Sequence, residues 1–192
     1  SFDQRTHELV RGRAREGRSP EVVALLTAGR CRRMPARTPR LADEASLDAS
    51  TVDRLLSNLG TGVVLVGGQA LAFWMDRYGI ATGSDAAVTN DADFVGTLAQ
   101  ARDLAHAIGA RVVSPPKRAR TALVAQLRLP TAEGKERNVD VLHVLYTTGG
   151  LRKSSAFTRR VVADSIEVSW ADGATFRGMD PFDMLDELGG TT

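Results

Sequence analysis

Val63-Val64-Leu65-Val66-Gly67-Gly68-Gln69-Ala70-Leu71-Ala72-Phe73-Trp74-Met75 is the stretch on which the fold turns. Its first four residues form an unbroken apolar run rich in β-branched side chains, as in a strand buried on both faces. Gly67-Gly68 breaks that run, and Gln69 to Met75 continues as an apolar helix up to Gly79. A strand that passes through glycine into a helix leaves backbone N–H groups accessible to an anion at the helix N-terminus. The alternative is a plain strand-to-helix turn. The pattern has neither the third glycine of G-x-G-x-x-G nor the Gly-Lys-Ser/Thr of a P-loop, which argues against both of those nucleotide sites.

Working outward, Ser50-Thr51-Val52-Asp53 reads as a capping-box-like start of a helix ending near Gly60. Downstream, a second strand covers Asp91 to Val95, and Thr97 caps a helix that runs to Gly109. Arg111 to Ser114 and the alternating segment Thr121 to Leu129 are strands. A turn at Glu133-Gly134-Lys135 follows, then a strand from Asn138 to Leu145. Residues 159–169 and 174–178 suggest a hairpin around Asp172-Gly173, and Asp180-Pro181 opens a last short helix. Strands mixed with helices and a hairpin predict an α/β (α+β) fold, with a mixed sheet flanked by helices.

The chain has 192 residues, 43% apolar and 25% charged, a composition that excludes collagen-like, fibrous and wholly disordered classes. No apolar run approaches the roughly 20 residues that span a bilayer, and the first residues lack a secretory signal. The lone cysteine, Cys31, permits no internal disulfide, so a cytoplasmic location and no membrane partner are expected. The formal charge of +2 is a sum of opposites. Residues 1–40 carry ten Arg against four acids, a net +6, while the remaining 152 residues carry −4. Residues 1–45 therefore read as an Arg-rich, partly helical arm, with a helix opened by Ser19-Pro20-Glu21. The arm is a solvated connector or, alternatively, a phosphate-binding segment. Residues 46–192 form the domain.

Three acids draw attention. Asp91 and Asp93 flank Ala92, and alternation along a strand places both carboxylates on one face. Side by side they repel, so such a pair calls either for solvent or for a divalent cation. Asp140 is a lone acid among Val139, Val141 and Leu142, where an unpartnered carboxylate is costly to bury. Three acids on two strands, with a glycine turn upstream, make a two-metal phosphoryl-transfer site coherent.

Val64-Leu65-Val66-Gly67-Gly68, Asp91-Ala92-Asp93-Phe94 and Val139-Asp140-Val141 together resemble the DNA polymerase β-type nucleotidyltransferase superfamily. With Thr89-Asn90 before the acid pair and Met179-Asp180-Pro181-Phe182-Asp183-Met184-Leu185 later, the chain is most similar to the AbiEii/AbiGii-type nucleotidyltransferase toxins and their bacterial relatives. The resemblance covers residues 50–188. It implies a polymerase β-like fold and a Mg²⁺-dependent enzyme that transfers an NMP group from an NTP, ATP among them, to a hydroxyl. The acceptor would be an RNA 3′ end such as that of tRNA, a protein or a small molecule, and the setting a toxin–antitoxin or abortive-infection system with an antitoxin partner. On this resemblance Asp91, Asp93 and Asp140 are catalytic and hold two Mg²⁺ ions, and the Gly67-Gly68 backbone holds the triphosphate.

Gln69 stands where many members place Ser or Thr beside the phosphates. The chain stops at Thr192, where relatives continue into a helical region, so the domain is expected to lack that region. These departures sustain an alternative, a catalytically degenerate nucleotidyltransferase fold that binds nucleotide or a partner. Ser84, in the loop before the acid pair, reads as a nucleotide contact or as a loop cap. Lys117 and Arg118 read as a grip on a triphosphate or RNA backbone, or as a solvated loop. Phe73, Trp74 and Tyr78, at helical spacing, are core candidates.

Overall fold

The computed structural model describes residues 45–80 and 91–184. The basic arm up to residue 44, the loop carrying Ser84, and residues 185–192 lie outside the described residues. Seven strands form one mixed sheet: β1 (Val64–Val66), β2 (Ala92–Val95), β3 (Arg111–Val113), β4 (Leu123–Pro130), β5 (Glu136–Leu142), β6 (Ile166–Ser169) and β7 (Thr175–Gly178). Their order across the sheet is β3-β4-β5-β2-β1-β7-β6. The central strand β2 runs parallel to β5 and antiparallel to β1, and β1 runs parallel to β7. The α/β expectation of a mixed sheet flanked by helices holds.

Among the described residues four helices accompany the sheet: α1 (Ala49–Ser57), α2 (Gly67–Arg77), α3 (Leu98–Ile108) and α4 (Gly150–Asp164). Thr97 caps α3 in a complete capping box with Gln100, and Gly109 ends it in the left-handed conformation at φ 67°. Helix α1 begins two residues before the expected start, because Asp48 and not Ser50 is its cap. The Asp48 carboxylate accepts from the Thr51 N–H at 2.8 Å and also pairs with Arg137 of β5 at 2.6 Å, a tertiary contact that no local pattern announces.

Burial alternates along β4 and β5. Ala125, Leu127, Leu129, Val139 and Val141 are buried, while Gln126, Arg128, Asn138 and Asp140 are partly exposed on the other face. One face over these strands therefore carries the core, against which α3 packs, and among the described residues the other remains open. All of Val64, Leu65 and Val66 are buried, as the unbroken apolar run requires.

Phe73, Trp74 and Tyr78 are packing residues. Trp74 is buried and stacks on Tyr78, Phe73 meets Phe176 of β7 edge-on at 5.1 Å, and Trp74 Nε1 donates to the Met179 carbonyl at 2.9 Å. Helix α2 is thus tied to the strands on the far side of β1.

One expectation is corrected. Residues 159–164 belong to α4, and only Ile166–Ser169 and Thr175–Gly178 form the hairpin. The buried side of α4 is Ser154, Thr158 and Val161, which have helical spacing but little apolar character. Their hydroxyls are satisfied twice. Ser154 and Thr158 donate to carbonyls one turn back in the helix and accept from the Thr147 and Leu145 N–H groups. Strand β5 also ends at Leu142, before the expected Leu145, where the chain turns toward this helix. Pro181 opens a helical segment, described over 181–184, with the Asp180 carboxylate accepting from the Phe182 N–H at 2.8 Å.

Candidate functional site

The central strand pairings build the site. Asp93 of β2 is directly opposite Asp140 of β5, and on its other side opposite Val66 of β1. Neighbouring strands lie about 4.8 Å apart, and residues directly opposite each other share a face. The two carboxylates therefore project side by side from the open face of the sheet, each partly exposed. Asp91 lies two residues before Asp93, exposed at the bend that leads into β2. The register thus brings Asp93 and Asp140 together, with Asp91 at the margin.

Gly67 follows Val66 directly and opens α2. It is at φ 67°, a backbone conformation that side-chain-bearing residues rarely adopt. A Cβ on it would stand 2.7 Å from Oδ2 of Asp93, closer than real Cβ contacts allow. Glycine is demanded twice here, by the turn and by the carboxylate lying against it. The Asp93 carboxylate is thereby set at the N-terminal end of α2, where helix geometry favours negative charge. Gly68 and Gln69 follow in the first turn of α2, half-buried.

Asp140 is held from the opposite side. Gln126 of β4, in register with it, donates from Nε2 to Asp140 Oδ1 at 3.0 Å. Arg128 Nε donates to Gln126 Oε1 at 2.8 Å, and its Nη1 to Glu136 Oε2 at 3.2 Å. Arg111 of β3 completes the row, Nη2 to Glu136 Oε1 at 2.9 Å. The hydrogen bond from Arg111, reinforced by the Arg111 and Arg128 charges, holds the Glu136 carboxyl below its usual range. Gln126, Arg128, Glu136 and Arg111 were not among the residues singled out from sequence. The polar positions between Ala125, Leu127 and Leu129 marked an open face, but not its connection to Asp140.

Lys117 and Arg118 are exposed in the turn between β3 and β4. Val113, Gln126, Asp140, Asp93 and Val66 form one row across the sheet, and β3 leaves that row toward the Leu142 and Val95 end. Gly67 leaves it toward the opposite end. The register therefore directs the Lys117–Arg118 loop away from the glycine turn.

Among the described residues, no group of three or more His, Cys, Asp or Glu side chains is gathered closely enough to hold a metal ion. The donor set at the Asp93–Asp140 pair nonetheless has the right chemistry for Mg²⁺, which is commonly held by one or two carboxylates with water and phosphate oxygens completing its shell. Asp93 Oδ2 lies so close to Gly67 that a Cβ there would clash with it, which sets the carboxylate beside the first residues of α2. No helix among the described residues is long and apolar enough to cross a membrane. Comparison of the chain with protein-family models, curated proteins and solved structures gives no match.

Proposed function

We propose that this chain is a Mg²⁺-dependent nucleotidyltransferase with a polymerase β-like fold. The observation that carries the proposal is the pairing of Asp93 and Asp140 on adjacent parallel strands of an open sheet face, with Gly67 pressed against Asp93. In this reading the attacking hydroxyl oxygen bonds to the α-phosphorus of an NTP, the bond to the β-phosphate oxygen breaks, pyrophosphate leaves, and the hydroxyl proton passes to solvent. Asp91, Asp93 and Asp140 hold the two Mg²⁺ ions, which when bound neutralise triphosphate charge and acidify the acceptor hydroxyl. Asp93 and Asp140 would set the reacting phosphate on the open face only through the ions they hold, and the N–H groups of Gly67 and Gly68 would orient the triphosphate. Gln69 and Ser84 are assigned to nucleotide contacts, while Lys117 and Arg118, whose loop the register directs away from the glycine turn, take no part in holding the triphosphate in this reading. The acceptor is an RNA 3′ end, a protein or a small molecule, and the proposed setting is a bacterial toxin with an antitoxin partner.

The test is incubation with each labelled NTP, Mg²⁺ and total cell extract, comparing wild type with D93N and D140N. Label should enter one fraction with wild type only. Transfer by D93N at the wild-type rate would refute the assignment.

A second reading, a nucleotide-binding domain without chemistry, is favoured by the absence among the described residues of a gathered three-acid group. It predicts calorimetric NTP binding with no transfer to any acceptor pool.

A further inference from the structure

A row of hydrogen-bonded side chains crosses the open face from β3 to β5: Arg111, Glu136, Arg128, Gln126 and Asp140. Each link is 2.8–3.2 Å long. Half-exposed ion pairs such as Arg128–Glu136 contribute little to stability, because water screens them and ordering long side chains opposes them. The core of these strands lies on the other face. A five-residue row in that position is poorly suited to holding the sheet together and well suited to fixing an orientation.

The row is also directional. A carboxylate only accepts and a guanidinium only donates. Between them, the Gln126 amide has a single arrangement that satisfies both neighbours: Oε1 toward Arg128 and Nε2 toward Asp140. Flipping the amide would set oxygen against carboxylate and N–H against guanidinium. Arg128 therefore locks the amide, and Glu136, itself held by Arg111, locks Arg128.

Resting on the nucleotidyltransferase reading above, we infer that Gln126 is a positioning residue. It holds Oδ1 of Asp140 so that the carboxylate is presented beside Asp93 in one orientation, with Arg128 setting the direction of its amide. Groups that orient metal-ligating carboxylates typically change metal affinity by about 10- to 100-fold when removed.

The test is calorimetric titration of the full chain with Mn²⁺ alone, without nucleotide, alongside thermal unfolding. Q126M keeps the length and volume of the side chain and removes the donor. R128K keeps the positive charge and removes the Nε–H that fixes the amide. Q126M should weaken Mn²⁺ binding about tenfold and R128K should weaken it less, with both midpoints close to wild type. Unchanged Mn²⁺ affinity in Q126M, or a lowered unfolding midpoint without a change in affinity, overturns the positioning role. D140N separates this failure from that of the underlying reading. Wild-type Mn²⁺ binding in D140N removes Asp140 from the site altogether, and a wild-type chain that binds no Mn²⁺ overturns both.

Discussion

Gly67→Ala is the perturbation whose magnitude the structure defines best, because Gly79 provides its control. Both glycines have left-handed backbones, at φ 67° and φ 64°, but among the described residues a Cβ at Gly79 meets nothing within 4 Å while one at Gly67 meets Asp93 Oδ2 at 2.7 Å. Gly79→Ala should therefore show the backbone term alone, about 1–2 kcal/mol. Gly67→Ala adds displacement of the Asp93 carboxylate from its rotamer well, about 1 kcal/mol more, for a total of about 2–3 kcal/mol. The excess corresponds to about 2–4 °C in unfolding midpoint for a chain of this size. Urea denaturation of both variants, repeated in an Asp93→Ala background, isolates the contact as a coupling energy. The excess should vanish when Asp93 is truncated, since the clashing oxygen is then gone. Equal losses for the two glycine variants, or an excess that survives in D93A, would refute the packing argument.

Two further outcomes concern ionisable groups. Hydrogen bonding from the Thr51 side chain and backbone, aided by Ser50 and the Arg137 charge, lowers the Asp48 pKa from 3.8 to about 2. A depressed carboxyl stabilises the fold above the unfolded value, and that contribution is lost as pH falls from about 4 to 2. The full linkage would be about 2.4 kcal/mol, but Asp48 is largely exposed and screening reduces it to about 1 kcal/mol. Asn keeps the cap, so D48N should erase this pH dependence in urea titrations while leaving α1 intact.

Asp183 behaves oppositely. Burial pushes its carboxyl above the usual range, opposed by Arg160, whose Nε lies 2.8 Å from Oδ1. A raised carboxyl favours folding at low pH and loses that contribution as pH rises above 3.8. R160A should therefore destabilise the chain by about 1–2 kcal/mol at pH 7, below the full value for a buried pair because Arg160 is half-exposed. The loss should shrink toward pH 4 and disappear in the R160A/D183N double variant. A pH-independent loss would point to packing of the arginine stem instead.

Local chemistry explains which parts of the fold were legible in the sequence. Helix α3 carries its own punctuation, Thr97 with Gln100 at one end and Gly109 at the other, so its bounds could be read from neighbours in the chain. The buried strand β1 and the glycine turn were equally readable, since an apolar run and a left-handed position are local demands. Helix α4 was not, because Ser154 and Thr158 look like surface residues. Their burial depends on the N–H groups of Leu145 and Thr147, which only the folded chain brings to them. The cap of α1 shifted for a similar reason, with Arg137 reaching Asp48 across 89 positions of sequence.

The candidate site divides along the same line. The isolation of Asp140 among apolar residues and the glycine break after Val66 were legible in the sequence, through strand patterning and backbone sterics, whereas the expected strand alternation does not reach Asp91, which precedes β2 at an exposed bend. Only the tertiary structure decided that Asp93 and Asp140 are opposite each other, that Gly67 faces Asp93, and that Gln126 and Arg128 stand behind Asp140. Those relations depend on which strands pair and in what register. Register is a property of the whole sheet, set where the buried faces of β4, β5 and β2 meet their helices, and no segment carries it by itself.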